Sequence, residues 1–284
     1  MTLPTGALEV RRYGSPSEFL VAAEPFLLEA EAENNLILGI AHALASGSTP
    51  GIHPYFATAQ DRNGVCMAAF QSVPAKLGTT RCRNPWAVPL LAEDVHASCS
   101  SLLDVLGPEP TIAAFAEDLA SRRGVTAECR MRQRIHELRE VVPQSREPAG
   151  RMRLAAPADA DLLVGWAGGF LEDIQEHGDP AAQVAERLGG KQLYLWEDDG
   201  PGSMAAWSGK TPHGVRVNFV YTPPGLRGRG YATALVAALS RRLLHQGNTY
   251  CVLYTDLANP TSNAIYRRIG YVPVTDAAVY RLAG

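Results

Sequence analysis

The sequence predicts an α/β (α+β) chain built from two similar domains in tandem. The chain has 284 residues, about twice the length of a typical domain, and its 46% hydrophobic content is enough for two cores. Each half also contains a predicted hairpin with a related strand, Met67-Ala-Ala-Phe70 in the first half and Met204-Ala-Ala-Trp207 in the second. Predicted helices precede the hairpin in both halves, and this shared order indicates an internal repeat.

The predicted domain boundary lies in a polar segment, residues 141–150, that contains two prolines and a glycine. Residues 151–155 then predict a strand, and residues 157–161 predict the start of a helix. We therefore expect an N-terminal domain at residues 1–145 and a C-terminal domain at residues 146–284.

Further strands follow from composition and alternation. In the N-terminal domain, residues 53–70 predict two strands around a turn, and the alternating charges of residues 130–139 predict a late strand. In the C-terminal domain, residues 192–197 and 204–208 predict two strands joined by a turn of Asp, Gly and Pro. Both hairpins are expected to lie within the sheets of their domains.

A strand followed by a glycine-rich turn and a helix occupies the middle of the C-terminal domain. Residues 215–221 are β-branched and aromatic, and Pro223 and Pro224 end this predicted strand because proline lacks an N–H for the ladder. Residues 231–244 are rich in Ala and Leu at helical spacing, which predicts a helix. The connection between the two elements must therefore turn sharply.

This connection has the composition of an anion-binding loop. Its glycines and arginines are Gly225, Arg227, Gly228, Arg229 and Gly230. Glycines allow backbone N–H groups to approach a ligand closely, and the first turn of the following helix presents unpaired N–H groups and a positive dipole end. We expect the loop to bind a pyrophosphate-like anion.

The spacing of this loop distinguishes three kinds of phosphate site. A Walker A loop needs Lys followed by Ser or Thr after the glycines, and the chain has neither there. A dinucleotide fingerprint needs a third Gly or Ala where Thr233 stands. The pattern Arg-x-x-Gly-x-Ala does fit, as Arg227-Gly-Arg-Gly-Tyr-Ala232 with Pro224 upstream. In this pattern the chain resembles the GCN5-related N-acetyltransferase (GNAT) superfamily.

A second segment also resembles this superfamily. Residues 250–255 predict a strand, and the helix after it is expected to have Thr261 or Ser262 as its N-cap and Gly270 at its end, with Tyr271 opening a final strand. The positions that match the superfamily pattern are Asn259, Asn263, Tyr266, Gly270 and Tyr271. The resemblance implies that Asn259 and Asn263 help to hold the cofactor and that Tyr266 places its hydroxyl near the thioester sulfur. A buried tyrosine with a satisfied hydroxyl is the alternative for Tyr266.

The resemblance implies two tandem GNAT-like domains, each a mixed, mostly antiparallel sheet flanked by helices. It further implies an acetyl-CoA-dependent N-acetyltransferase, with acetyl-CoA as co-substrate and no metal, in which an amine attacks the acetyl group in a ternary complex. Tyr266 is then the candidate general acid. The residues expected to contact the cofactor are Val220, Tyr221, Thr222, Arg227, Gly228, Arg229, Gly230, Tyr231, Ala232, Asn259 and Asn263.

The general base is left open by the sequence. Many members of the superfamily carry a glutamate on the strand before the loop, whereas this strand offers Asn218, whose amide is not a useful proton acceptor. A predicted helix on the acceptor side supplies Glu172, Asp173, Glu176 and His177, with Glu172 and Glu176 on one face. A chain of water molecules, or an amine that arrives neutral, is the other possibility.

The N-terminal domain is expected to be a degenerate copy. Its residues 95–107, compared with the glycine-rich loop, lack the Arg-x-x-Gly-x-Gly/Ala pattern, so this domain is expected to bind no cofactor and to have a structural or substrate-shaping role. Side chains that could contribute to the acceptor side are Glu31, Glu33, His42 and Trp86. The glutamates among them, with Glu29, fit a solvated helix face better.

Composition excludes several other classes. A net charge of −3 argues against a nucleic-acid-binding protein. Five widely spaced cysteines without a Cys-x-x-Cys pair suggest reduced thiols in a cytoplasmic protein, and no leader or membrane-spanning run is predicted. The expected partner is a small-molecule or peptide amine, and a homodimer is left open. Alternatives are a non-catalytic acyl-CoA sensor and a transferase of a longer acyl group.

Overall fold

The computed structural model describes residues 8–48, 52–144 and 148–284. The predicted boundary between residues 145 and 146 lies outside these ranges, so it stays a prediction. The elements of the first half are β1 (Glu9–Arg12), α1 (Pro16–Leu28), α2 (Asn35–Ala45), β2 (Tyr55–Asp61), β3 (Gly64–Val73), β4 (Lys76–Thr79), α3 (Ala87–Ser98), β5 (Asp104–Pro108), α4 (Thr111–Arg123) and β6 (Thr126–Leu138).

The second half repeats this order of strands and helices. Its elements are β7 (Arg151–Leu154), α5 (Ala160–Asp173), α6 (Pro180–Gly189), β8 (Leu193–Glu197), β9 (Pro201–Ser208), β10 (Gly214–Tyr221), α7 (Tyr231–His245), β11 (Tyr250–Asp256), α8 (Pro260–Ile269) and β12 (Val272–Ala283). Each half therefore runs strand, two helices, three strands, helix, strand, helix, strand. The predicted tandem arrangement is confirmed.

The strands form one sheet across the described part of the chain, in the order β1-β2-β3-β4-β5-β12-β6-β11-β10-β9-β8-β7. The sheet is mixed and mostly antiparallel, as predicted, with parallel pairs at β4/β5 and β10/β11. The two halves exchange their last strands, because β12 pairs with β5 and β6 pairs with β11. The basic segment around residues 130–139 is thus a strand, but it lies in the centre of the joint sheet.

Two helix pairs cover each face of the sheet. Alternate residues of β9 point to opposite sides, with Ala205 packed in the core of α7 and Ala206 in the core of α5 and α6. In β2, Ala57 packs in the core of α3 and α4, and Phe56 in the core of α1 and α2. We refer to the side of α1, α2, α5 and α6 as the α1/α5 face. At the centre of this face, Ala32 from the α1–α2 connection packs on the sheet.

Helix α5 ends earlier than the sequence predicted. Its last residue is Asp173, and Gln175 follows with φ of 54°, a left-handed conformation that breaks the helix. Glu176 and His177 therefore lie in the connection to α6, and the prediction that Glu172 and Glu176 share a helix face is wrong. Among the helices of the described ranges, none is both long and apolar enough to cross a membrane.

Candidate functional site

Strands β10 and β11 separate partway along their length. Their parallel pairing covers only residues 214–216 of β10 and 250–252 of β11. Beyond this point the register of β10 against β9 shifts between Asn218 and Tyr221, and Phe219 has φ of 55°. The bulge bends β10 away from β11, so the edge of β10 after Arg216 has no ladder partner on β11.

The predicted anion-binding loop follows directly at the end of β10. A short 3₁₀ turn, Pro224–Leu226, leads to Gly228 and Gly230, which have φ of 81° and 85°. Gly230 is the N-cap of α7. Within the described ranges, the backbone N–H groups of residues 228–233 have no protein acceptor outside the helix itself, as expected for a loop that opens a helix. These N–H groups are therefore available to an anion.

The side chains in and after the loop have different surroundings. Arg227 donates to the Asp173 carboxylate at 2.6 Å and to the Thr222 carbonyl at 2.9 Å, so its guanidinium is tied to the end of α5. Arg229 is exposed. Tyr231 is a core residue whose hydroxyl donates to Asp198 at 2.8 Å, which leaves only its backbone to face a ligand. Ala232 lies in the first turn of α7.

The predicted pantetheine-binding residues lie at the end of β10. Ser203 Oγ donates to the Tyr221 carbonyl at 2.9 Å, and Thr222 Oγ1 donates to Ser203 Oγ at 3.0 Å. The Tyr221 ring reaches α5, where its hydroxyl occupies the space that a Cβ on Gly169 would need. Val220, in the same bulged segment, packs at the edge of the α7 core.

The two asparagines stabilise the junction between β11 and α8. Asn259 Oδ1 accepts from the Ser262 N–H at 3.0 Å, so Asn259 is the N-cap of α8 and the predicted caps, Thr261 and Ser262, are wrong. Asn263 Nδ2 donates to the carbonyls of Asp256 and Asn259 at 2.9 and 2.8 Å. Their contact with a cofactor stays a prediction.

Tyr266 packs inward from α8 with a free hydroxyl. Its ring lies edge-on to Tyr271, with the centroids 6.0 Å apart. Burial raises the pKa of Tyr266 to about 12, so the phenol stays protonated near neutral pH. Within the described residues its hydroxyl has no hydrogen-bond partner, unlike that of Tyr271, which is 2.8 Å from Ser240 Oγ. Tyr266 is half-buried, and its place beside a thioester sulfur stays a prediction.

The candidate bases of the α5–α6 region lie near the surface. Asp173 is bound to Arg227, and Glu176 accepts from Lys76 Nζ at 2.6 Å. Glu172 and His177 are exposed. None of the four is buried, so the structure supplies no support for any of them as a proton acceptor in the opening between β10 and β11.

Glu33, which the sequence named as a possible contributor to the acceptor side, is a buried carboxylate. Its side chain is 1% exposed, Oε2 is bound by Arg81, and the buried Oε1 has no partner in the described residues. Burial raises the pKa of Glu33 although the charge of Arg81 opposes this. Glu33 and Tyr254 of β11 line one cavity on the α1/α5 face. The prediction of a solvated helix face is wrong for Glu33, because α1 ends at Leu28 and the connection turns onto the sheet.

The equivalent strands of the first half, β4 and β5, lie closer together at their ends than β10 and β11 do in the described residues. By element order, the segment equivalent to the glycine-rich loop is residues 80–86, between β4 and α3, so the comparison with residues 95–107 was wrong. This segment contains no glycine. The strands β4 and β5 stay in contact, since a Cβ on Gly107 would lie 2.8 Å from the Thr79 carbonyl oxygen. Among the described residues, no group of His, Cys, Asp and Glu could hold a metal ion.

Comparison with known proteins supports the fold assignment. Residues 193–280 match the FR47-like protein family. The chain is similar to the X-ray structure of a Drosophila protein, with 15% identity, a TM-score of 0.68, and coverage of 98% of this chain and 99% of that one. No curated protein matches the chain.

Two further solved structures share the fold over the whole length. One is an acetyltransferase from the GNAT family from Colwellia psychrerythraea, with 10% identity, a TM-score of 0.60, and coverage of 97% of this chain and 100% of that one. The other is a tandem GNAT protein from the clavulanic acid biosynthesis pathway, with 12% identity, a TM-score of 0.60, and coverage of 98% of both chains. The chain therefore has the fold of these GNAT proteins, with two similar halves in tandem.

Proposed function

We propose that the protein is an acyl-CoA-dependent N-acyltransferase that uses acetyl-CoA as donor and an amine as acceptor. The observation that carries this proposal is the opening between β10 and β11, which leads directly into the loop with unpaired N–H groups at residues 228–233. A pyrophosphate bound by these groups would lie at the N-terminus of α7, where the helix dipole favours negative charge. Arg229 adds an exposed positive charge nearby.

The opening also fits the extended arm of a coenzyme A molecule. The edge of β10 beyond Arg216 has no ladder partner on β11, so its backbone groups are available to amide groups of a ligand. Acetyl-CoA, when bound, supplies an activated thioester carbonyl. The first half keeps Thr79 and Gly107 in close contact and has no glycine in the equivalent loop. We therefore assign a single cofactor site to the second half.

Two groups of the chain are suited to proton transfer. Tyr266 keeps its proton at neutral pH and has no competing partner among the described residues, so it can donate to a leaving thiolate. Glu33 offers a buried carboxylate oxygen that has no partner among the described residues, and it lines a cavity with Thr79 and Gly107 of the first half and Tyr254 of β11. We assign Glu33 as the acceptor of the amine proton, with the first half thereby completing the site of the second.

A second candidate function is an acyl-CoA sensor without turnover. The observation in its favour is Asn218, which stands on β10 at the bulge and donates to Ser208 Oγ at 2.6 Å. An amide there cannot remove a proton from an amine. A longer acyl group is a third possibility, and the mass of any CoA ester that copurifies with the protein would identify it.

Release of free thiol from acetyl-CoA, measured over a panel of amines, tests the proposal. We expect release that depends on both the enzyme and an amine. Tight binding of acetyl-CoA without release on any amine would favour the sensor instead. Absence of acetyl-CoA binding would contradict both functions.

A further inference from the structure

Two arginines lie beside the bulge of β10 on the α1/α5 face. Arg216 points to this face, because its neighbours Val215 and Val217 both pack in the core of α7 on the other side. Arg187 reaches the same place from the last turn of α6, with its guanidinium carbon 4.3 Å from the ring centroid of Phe219 in the bulge. Their positive charges are close enough to repel each other.

Neither arginine has a carboxylate partner in the described part of the chain. Arg216 Nη2 donates to Ser208 Oγ at 3.3 Å, and Arg187 Nη1 donates to the Gln183 carbonyl at 2.8 Å. The buried Nη1 of Arg216 and Nε of Arg187 have no acceptor. By contrast, the more peripheral Arg153 is bound by Asp159.

Keeping two unpaired cations together is unfavourable in the free protein. Burial lowers the pKa of both arginines; for Arg187 the charge of Glu186 opposes this lowering and the charge of Arg216 adds to it. In a protein interior, a charged group is normally paired with a charge of opposite sign, or it becomes neutral. An anion bound between the two guanidinium groups would supply the missing charge and accept from both unused N–H groups.

Hydrogen-bond acceptors without partners surround the arginine pair. Asn218 Oδ1 is buried and has no donor, while the Nδ2 of the same residue shares Ser208 Oγ with Arg216. Asn35 Oδ1 from α2 is also without a donor, and its Nδ2 donates to the Gly209 carbonyl at 3.4 Å. A Cβ added at Gly209 would lie 3.1 Å from Arg216 Nη2, so the guanidinium lies next to this glycine. The cluster can therefore receive an anion and an N–H donor side by side.

We propose that the acceptor amine carries a carboxylate, as an amino acid does, and that Arg187 and Arg216 bind this carboxylate. The planar guanidinium matches the two oxygens of a carboxylate, and Asn218 Oδ1 is placed to accept from the amine. Because both arginines lie at the strand opening, the carboxylate and the reacting amine must be close together in the molecule. This inference rests on the proposed transferase function.

Matched acceptors test the proposal. We would measure kcat and KM by thiol release with alanine, alaninamide, ethylamine and 1-aminoethylphosphonate. The wild-type protein should prefer alanine to alaninamide and ethylamine by about 10- to 100-fold in kcat/KM, the range expected for hydrogen bonds to a charged group. Preference for the phosphonate would overturn the carboxylate assignment. Equal use of alanine and ethylamine would overturn the proposal while leaving the transferase function intact.

Variants separate carboxylate binding from other roles. Arg216→Gln and Arg187→Gln should raise KM for alanine by about 10-fold or more and change ethylamine turnover by less than about threefold. Arg241→Gln, at an exposed position of α7, is the matched control. An equal fall in kcat with every amine would mean that the arginines act on the thioester, and would contradict the proposal.

A binding measurement tests the proposed carboxylate site even if no amine is acetylated. In the presence of CoA, alanine should raise the melting temperature of the wild-type protein, and alaninamide should not, because only alanine carries the anion. This shift should disappear in Arg216→Gln. Equal shifts with alanine and alaninamide would overturn the anion site, whereas thiol release alone decides the transferase function.

Discussion

Leu253 of β11 lies opposite His136 of β6 in the central sheet, although the two residues come from different halves of the chain. The reciprocal exchange places Tyr280 of β12 opposite Val105 of β5. Each half therefore depends on the other for the last strand of its own sheet. The two halves are linked more tightly than two domains that merely touch at a surface.

The strand exchange predicts that neither half folds well alone. Residues 1–144 and 148–284 expressed separately should each expose an unpaired strand edge and aggregate. When coexpressed, they should form a soluble one-to-one complex that binds CoA. Light scattering and size-exclusion chromatography measure this outcome. A soluble 148–284 fragment that binds CoA as tightly as the full chain would show that the exchange is dispensable.

The loop glycines predict a specific loss of CoA binding. Gly228→Ala and Gly230→Ala force a side chain into left-handed backbone at φ of 81° and 85°, which costs about 1–2 kcal/mol per position. If the loop relaxes instead, its N–H groups move, so CoA affinity measured by calorimetry should fall. Gly225→Ala is the control, because its added Cβ meets open space without positive φ. Equal affinities in all three variants would exclude the loop as the phosphate site.

Replacing Tyr266 by Phe should lower turnover with little change in CoA affinity or stability. The variant removes only a hydroxyl without a partner among the described residues, and general acid catalysis contributes about 10²- to 10⁴-fold. Tyr280→Phe is the comparison, since it removes a hydroxyl that donates to Glu109 at 3.1 Å, far along β12. It should cost about 1 kcal/mol of unfolding free energy and leave turnover unchanged. If the Tyr266→Phe variant kept full activity, Tyr266 would be excluded as the general acid.

Glu33 predicts a pH dependence of both rate and stability. Its pKa is raised by burial, so kcat/KM should rise as pH increases through this elevated pKa and the carboxylate becomes the base. The free energy of unfolding changes in the opposite direction and falls as the pH rises. The unfolded chain loses the Glu33 proton at lower pH than the folded chain, so the stability due to the protonated form is lost as pH rises through the folded pKa.

The Glu33→Gln variant should therefore have a lower kcat/KM that changes less with pH. Its free energy of unfolding should no longer fall as the pH rises through the pKa of Glu33. Glu31→Gln is the matched control two residues away, where the carboxylate is bound to His213 at 2.7 Å. Rate profiles and melting temperatures between about pH 4 and pH 8 measure both effects. An unchanged rate profile in Glu33→Gln would exclude Glu33 as the base.

Local chemistry explains why part of this structure was predictable from the sequence. Gly230 and Gly270 mark a helix start and a helix end through conformations that glycine adopts at low cost, and the prolines after β10 end the strand on their own. These features place the loop between β10 and α7, and Tyr266 on α8, without knowledge of distant contacts.

The remaining features depend on contacts between distant residues. The partner of β6 is β11, and no local pattern in residues 126–138 distinguishes β11 from a strand of the first half. Glu33 looks like a surface residue among its neighbours until the α1–α2 connection is seen to turn onto the sheet. Likewise, only the three-dimensional structure shows that Arg216 has no carboxylate partner among the described residues.

The transfer itself is tested most directly with acetyl-CoA that carries an isotopically labelled acetyl group. The protein would be incubated with this substrate and a mixture of amines and amino acids, and the products analysed by mass spectrometry. An N-acyltransferase predicts that the label moves to the nitrogen of an amine, with one free thiol released for each acetyl group transferred. Label that stays on CoA, or that appears only as free acetate, would contradict the transferase function.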